Sequence, residues 1–132
     1  VVTNGVDMRT ILLSEKQSHL LQLLEWEFSD ADFACLCVES ADQAKKIITG
    51  EKVDAVVLGL SWPPEEDVQL LCWVKKNHPE TPVVLFAGEE ELQPKSITHF
   101  ADAWIEKSSH IDLLIEEVKS LIKPITRSPV MY

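Results

Sequence analysis

The side chains with the most evident capacity for chemistry are three thiols, Cys35, Cys37 and Cys72, four histidines, and an excess of carboxylates over cations. Three is an odd number, no C-x-x-C pair occurs, and most of the histidines lie far from the cysteines, so neither a disulfide framework nor a zinc site is indicated. Cys35 and Cys37 fall on one face of any strand that contains them, the spacing that a redox or soft-metal pair would need. Buried free thiols are the simpler reading. The four glycines, Gly5, Gly50, Gly59 and Gly88, are too widely separated to form a phosphate-cradling loop, which counts against a nucleotide or flavin binder. Glu89-Glu90-Glu91 reads more simply as an acidic helix start than as an acidic pocket.

Any chemistry must be positioned by the surrounding elements, and these alternate regularly. Short apolar runs are expected as strands at about Thr10–Ser14, Phe33–Val38, Asp54–Gly59, Pro82–Ala87 and Asp102–Glu106. Between them lie helical patterns. The first is expected over Gln17–Phe28, with Leu20, Leu21, Leu23 and Leu24 as its apolar face and Ser18 as its cap. The second is expected over Ala41–Ile48, ended by Gly50. The third opens with Pro63-Pro64-Glu65-Glu66-Asp67, proline in its first turn and acids at the positive end of its dipole, and stops at Asn77-His78-Pro79. A fourth, interrupted by Pro94, is expected over Gly88–Phe100, and a strongly amphipathic last helix carries Ile111, Leu114, Ile115, Val118, Leu121 and Ile122 up to Pro124. Five repeats of strand and helix predict an α/β fold, a five-stranded parallel sheet covered on both faces.

The 132 residues suit one core, and 45% hydrophobic with 26% charged residues is a globular composition. The domain is expected over residues 8–124, with residues 1–7 a linker or expression remnant and residues 125–132 a tail or the start of a linker. The formal charge of −10 repels phosphate backbones and anionic membranes, so no nucleic-acid or membrane partner is expected. No apolar run reaches the ~20 residues of a membrane span. A cytoplasmic location is expected.

The segment Asp54-Ala55-Val56-Val57-Leu58-Gly59-Leu60-Ser61-Trp62-Pro63 resembles the D-x-hhh-D-h-x-x-P stretch of response-regulator receiver (CheY-like) domains. Leu12-Leu13-Ser14-Glu15-Lys16 is similar to that family's hhh-D-D pattern, and Ala101-Asp102-Ala103-Trp104-Ile105-Glu106-Lys107-Ser108 to its G-A-D-x-[YF]-h-x-K-P. The resemblance covers about Arg9–Lys123 and implies the doubly wound, flavodoxin-like (βα)5 sandwich of three layers. It also implies which chemistry is missing. The phosphoacceptor Asp maps onto Gly59, one of the acidic pair onto Lys16 with Glu15 kept, and the hydroxyl residue ending strand four onto Ala87. The family's lysine is matched by Lys107 and its aromatic by Trp104, while Ser108 stands where the following proline would be.

Glycine has no side chain with which to attack a phosphoryl group. Asp54 lies five residues back, about 16 Å along the strand, and Ser61 about 7 Å further on without an activating base. With two of three acids replaced and a lysine at one of their positions, no metal is expected, and no other cofactor. Lys16 is expected either to pair with Glu15 in place of the ion or to reach solvent, and Lys107 either to bind an anion or to pair with Glu15. The tryptophans are expected mostly to pack in the core or at its rim, Trp104 being the exception as a residue of the surface the resemblance gives to partners, and Trp62 and Trp104 are expected to flank the pocket.

The resulting expectation is a pseudo-receiver: not an enzyme, but a phosphorylation-independent protein-interaction module in two-component-type signal transduction. The resemblance implies a partner surface on the fourth helix, fifth strand and fifth helix, including Trp104 and Glu106, which could also form a homodimer. Alternatives are regulation by another ligand in the vacated pocket, a small flavodoxin-like nucleotide or flavin binder, and a redox sensor using Cys35 or Cys37.

Overall fold

The computed structural model describes residues 8–88 and 99–122. Five parallel strands, β1 (Arg9–Ser14), β2 (Phe33–Val38), β3 (Ala55–Gly59), β4 (Val83–Ala87) and β5 (Ala103–Glu106), form one sheet in the order β2-β1-β3-β4-β5. Four helices are described, α1 (Ser18–Asp30), α2 (Ala41–Gly50), α3 (Glu65–Asn77) and α4 (Ile111–Leu121). The helix expected over Gly88–Phe100 falls largely on residues 89–98, outside the described residues, as do the proposed linker 1–7 and tail 125–132.

The sheet is doubly wound because its central strands are apolar on both faces: every residue of β3 and β4 is buried. Leu12, Val56, Leu58 and Leu85 point to one side, where Ala44 and Ile48 of α2 and Leu70, Leu71 and Val74 of α3 cover them. Ile11, Leu13, Val57, Val84 and Phe86 point to the other, against Leu21, Leu24 and Phe28 of α1 and Leu114, Ile115 and Val118 of α4. Period-two strands and period-3.6 helices thus meet in two cores, giving the expected three-layer sandwich.

Several local expectations are corrected. Ser18 is the first residue of α1 rather than its cap; Gln17 holds the cap position without a side-chain hydrogen bond. Ser40 does cap α2, its Oγ accepting from Gln43 N at 3.2 Å. Gly50 is the last residue of α2, not the residue beyond it, and Pro64 precedes α3 instead of sitting in its first turn. Asp32, in the turn from α1 to β2, has φ 70°, a conformation that Asp tolerates better than most residues.

Of the tryptophans, only Trp73 packs against a core cluster, with Lys45 Nζ 5.7 Å from its ring centroid. Trp26 and Trp62 are exposed, which overturns the expectation of core or rim packing for them, and Trp104, expected on the partner surface, is exposed too. The thiols are less buried than expected: Cys72 is exposed and Cys35 and Cys37 are half-buried.

Candidate functional site

In a doubly wound sheet, ligands bind outside the carboxyl ends of the strands, where the winding direction reverses. Here that point lies between β1 and β3, which are neighbours in the sheet although β2 separates them in sequence. Glu15 follows β1, Gly59 ends β3, Ala87 ends β4 and Lys107 follows β5. Backbone bonds extend the ladder past the strand ends and fix these positions: Glu15 N donates to Val38 O at 3.1 Å, Leu60 N to Phe86 O at 3.0 Å and Lys107 N to Ala87 O at 2.8 Å. These four of the five positions suggested by the sequence resemblance therefore converge on one end of the sheet, and Lys16, the fifth, follows Glu15 there.

The centre of the site is an exchange between two residues. A Cβ built on Gly59 would fall on Glu15 Oε1, and would lie 2.9 Å from Glu15 Cδ and 3.3 Å from Ser14 O. The Glu15 carboxylate thus lies where a side chain at residue 59 would begin, and only glycine allows that approach. The space over residue 59 is filled, so the expected vacated pocket is not open.

Glu15 is almost fully buried. Its Oε2 accepts from Gln17 N at 2.9 Å, and Lys107 Nζ lies 3.2 Å from its Oε1. That contact is an ion pair without hydrogen-bond alignment, so Oε1 has no hydrogen-bond donor. Lys107 instead aims a hydrogen bond at Leu60 O, 3.0 Å away. One ammonium group thereby ties the end of β5 to the residues following β1 and β3. Ala87 is wholly buried and brings no polar atom to the site.

Lys16 does not pair with Glu15. It reaches across to α3, 3.3 Å from Glu66 Oε1 and 3.7 Å from Asp67 Oδ1. Its four-carbon stem leaves the sheet after Glu15 turns inward, and the acids of the α3 first turn offer a partly solvated partner that needs no further burial of charge.

Asp67 is the residue the sequence reading missed, since its type and position mark it only as an acid at a helix start. It is buried, and its Oδ2 accepts from Ser61 N at 3.1 Å, tying α3 to the segment that follows β3. Burial pushes its carboxyl pKa up, partly offset by the Ser61 N–H and Lys16. The available signal was an acid six residues beyond Ser61, in reach of a free loop N–H. Ser61 itself has a buried Oγ without a hydrogen-bond partner, and no base beside it makes it a nucleophile.

Trp104 is exposed on β5, opposite Leu85 of β4, and the half-buried Glu106 pairs with Ala87 in register and accepts from Ser108 Oγ at 3.3 Å. The cysteines take no part in this end of the sheet. Cys35 and Cys37 pack toward the α1 and α4 core, and desolvation raises both thiols, Cys37 to about 12. A thiol so raised is a poor nucleophile, which weighs against the redox reading.

Among the described residues, no group of three or more His, Cys, Asp and Glu side chains is placed to hold a metal ion, and no helix is long and apolar enough to cross a membrane.

No family-level sequence profile matches the chain. It is 23% identical over 115 residues to the transcriptional regulatory protein PhoP of Escherichia coli O157:H7, and 24% identical over 115 residues to PmrA of Pectobacterium parmentieri. Each match covers 86% of this chain and 52% of the relative, so the chain spans about half the length of these curated relatives. Among solved structures it is similar to the response regulator TrrA of Thermotoga maritima, solved with Mg²⁺-BeF, at TM-score 0.80 and 22% identity, covering 87% of this chain and 100% of that one. A CheY-like receiver domain of Methanospirillum hungatei JF-1 aligns at TM-score 0.79 and 19% identity, covering 86% and 93%. The chain has the fold of response-regulator receiver (CheY-like) domains, as the sequence resemblance implied.

Proposed function

We propose that this receiver domain works without aspartyl phosphorylation, as a protein-interaction module in a two-component-type signalling pathway, and that it is not an enzyme. The observation that carries the reading is the exchange at Gly59: the residue has no nucleophile, and the Glu15 carboxylate fills the space from which one would project. Glu15 is poorly suited to attack in its place, being held by Lys107 and the Gln17 N–H and shielded from solvent.

The same residues do not fit the Mg²⁺ bound in TrrA. Of the acidic positions only Glu15 keeps a carboxylate, and Lys107 already neutralises it. Lys16 sets a second positive charge beside Asp67 and Glu66. A hard cation that needs several oxygen ligands finds these carboxylates already paired with lysines.

TrrA has also been solved with the histidine kinase ThkA, which supports a signalling protein of that class as the partner. The exposed Trp104 on β5, with Glu106 beside it, is the surface we assign to partner binding, and a homodimer through the same edge belongs to this reading. The test is incubation with acetyl phosphate and Mg²⁺ followed by intact-mass measurement. The mass is expected to stay unchanged; an acid-labile gain of one phosphoryl group would overturn the reading.

A further inference from the structure

Glu15 has the features of a bound ligand that happens to be attached to the chain. Its carboxylate is wrapped by groups from three places in the sequence: the Gln17 N–H, the Lys107 ammonium and the bare backbone of Gly59. Almost no solvent reaches it. Lys107, in turn, is fixed by Leu60 O independently of Glu15, so the cation would stay in position were the carboxylate removed. One oxygen, Oε1, lacks an aligned donor although it is buried, which is how an inserted group differs from one around which a hydrogen-bond network is closed.

We propose that Glu15 is an intramolecular plug in a small-anion seat made by Lys107, the Gln17 N–H and Gly59, and that the seat accepts a free carboxylate once the plug is removed. The proposal deepens the phosphorylation-independent reading and rests on it for the identity of the seat. It assigns Glu15 a blocking role: the site is self-occupied, so acetyl phosphate, inorganic phosphate and other small anions meet a filled seat, and Lys107 is already engaged. Glycine at 59 is then required by the plug, since any Cβ there collides with it.

The experiment is chemical rescue. Changing Glu15→Ala removes Cγ, Cδ and both carboxylate oxygens, which together have the size of acetate. In Glu15→Ala, acetate is expected to raise the melting temperature by about 3–5 °C at concentrations roughly tenfold above its Kd, relative to chloride at equal ionic strength. The wild-type protein and Glu15→Gln, whose seats are full, should show no such acetate-specific rise, and neither should Glu15→Ala/Lys107→Met, which lacks the cation. Should Glu15→Ala be unfolded in buffer, refolding by acetate and not by chloride, followed by circular dichroism, reads the same equilibrium. An equal response of Glu15→Ala to acetate and chloride, or an acetate response that survives loss of Lys107, would overturn the seat. Neither result bears on whether the wild-type protein takes up a phosphoryl group, so the two readings fail separately.

Discussion

The two ends of the sheet treat their carboxylates in opposite ways. At the amino end, Asp54 and Asp102 each precede a strand and close the same ring with a neighbouring strand. Asp54 N donates to Thr10 O at 2.8 Å while Thr10 N donates to Asp54 Oδ2 at 2.7 Å. Asp102 N donates to Val83 O at 2.9 Å while Val83 N donates to Asp102 Oδ2 at 2.7 Å. Each acid also has a cation, Arg9 at 3.5 Å and Lys75 at 2.9 Å, and keeps some contact with water. These acids satisfy strand ends that would otherwise be orphaned.

At the carboxyl end, Glu15 and Asp67 are more deeply buried and less completely partnered, with Glu15 Oε1 and Ser61 Oγ lacking hydrogen-bond partners. Burial of charge with incomplete hydrogen bonding is what functional sites tolerate and structural ones avoid. The difference marks the amino end as scaffold and the carboxyl end as the candidate site.

Removing one charged partner from each end should separate them most clearly. Lys107→Met leaves Glu15 buried and uncompensated, and should destabilise the domain by about 3–5 kcal/mol in urea unfolding. A loss no larger than that of a surface pair would break the comparison. Gly59→Ala comes next, at about 1–3 kcal/mol from overpacking against Glu15. Glu15→Ala in the same chain should relieve most of that penalty, so the double-mutant cycle should show clear coupling. At the amino end, Asp102→Ala orphans the Val83 N–H and takes from Lys75 a half-exposed partner while leaving its bond to Thr81 O, and should remove about 1–2 kcal/mol.

The smallest effect concerns pH. Because burial raises the Asp67 pKa above 3.8, the folded state holds this proton more tightly than the unfolded chain does. Ionised Asp67 therefore opposes folding at pH above its raised value, and the penalty disappears as pH falls below 3.8. Asp67→Asn keeps an oxygen for the Ser61 N–H and removes the titration. Its stability relative to wild type should rise as pH climbs through the mildly acidic range; a flat difference would show Asp67 to be an ordinary helix-start acid.

Much of the scaffold was legible in the chain. Val56, Val57 and Leu58 form an unbroken apolar run because β3 is buried on both faces, while Leu21, Leu24 and Phe28 recur at helical spacing because α1 buries one stripe. Such patterns depend on neighbours a few residues away. That residue 59, a glycine, has no nucleophile was equally plain, since it follows from the residue type alone. The environments of Trp26 and Cys72 were not legible, because residue type alone does not say which side of a helix meets the core.

The sequence by itself determined the alternation of strands and helices, the acidic surface and the absence of a nucleophile at Gly59. Only the tertiary structure decided that Glu15 fills the space above that glycine, that Lys107 and not Lys16 is its partner, and that Asp67 turns back onto Ser61. Those contacts join residues 15, 59 and 107, and local periodicity cannot encode a distance between positions so far apart. They exist because parallel strands β1, β3 and β5 end on the same edge of one sheet, where buried charges must find one another or remain uncompensated.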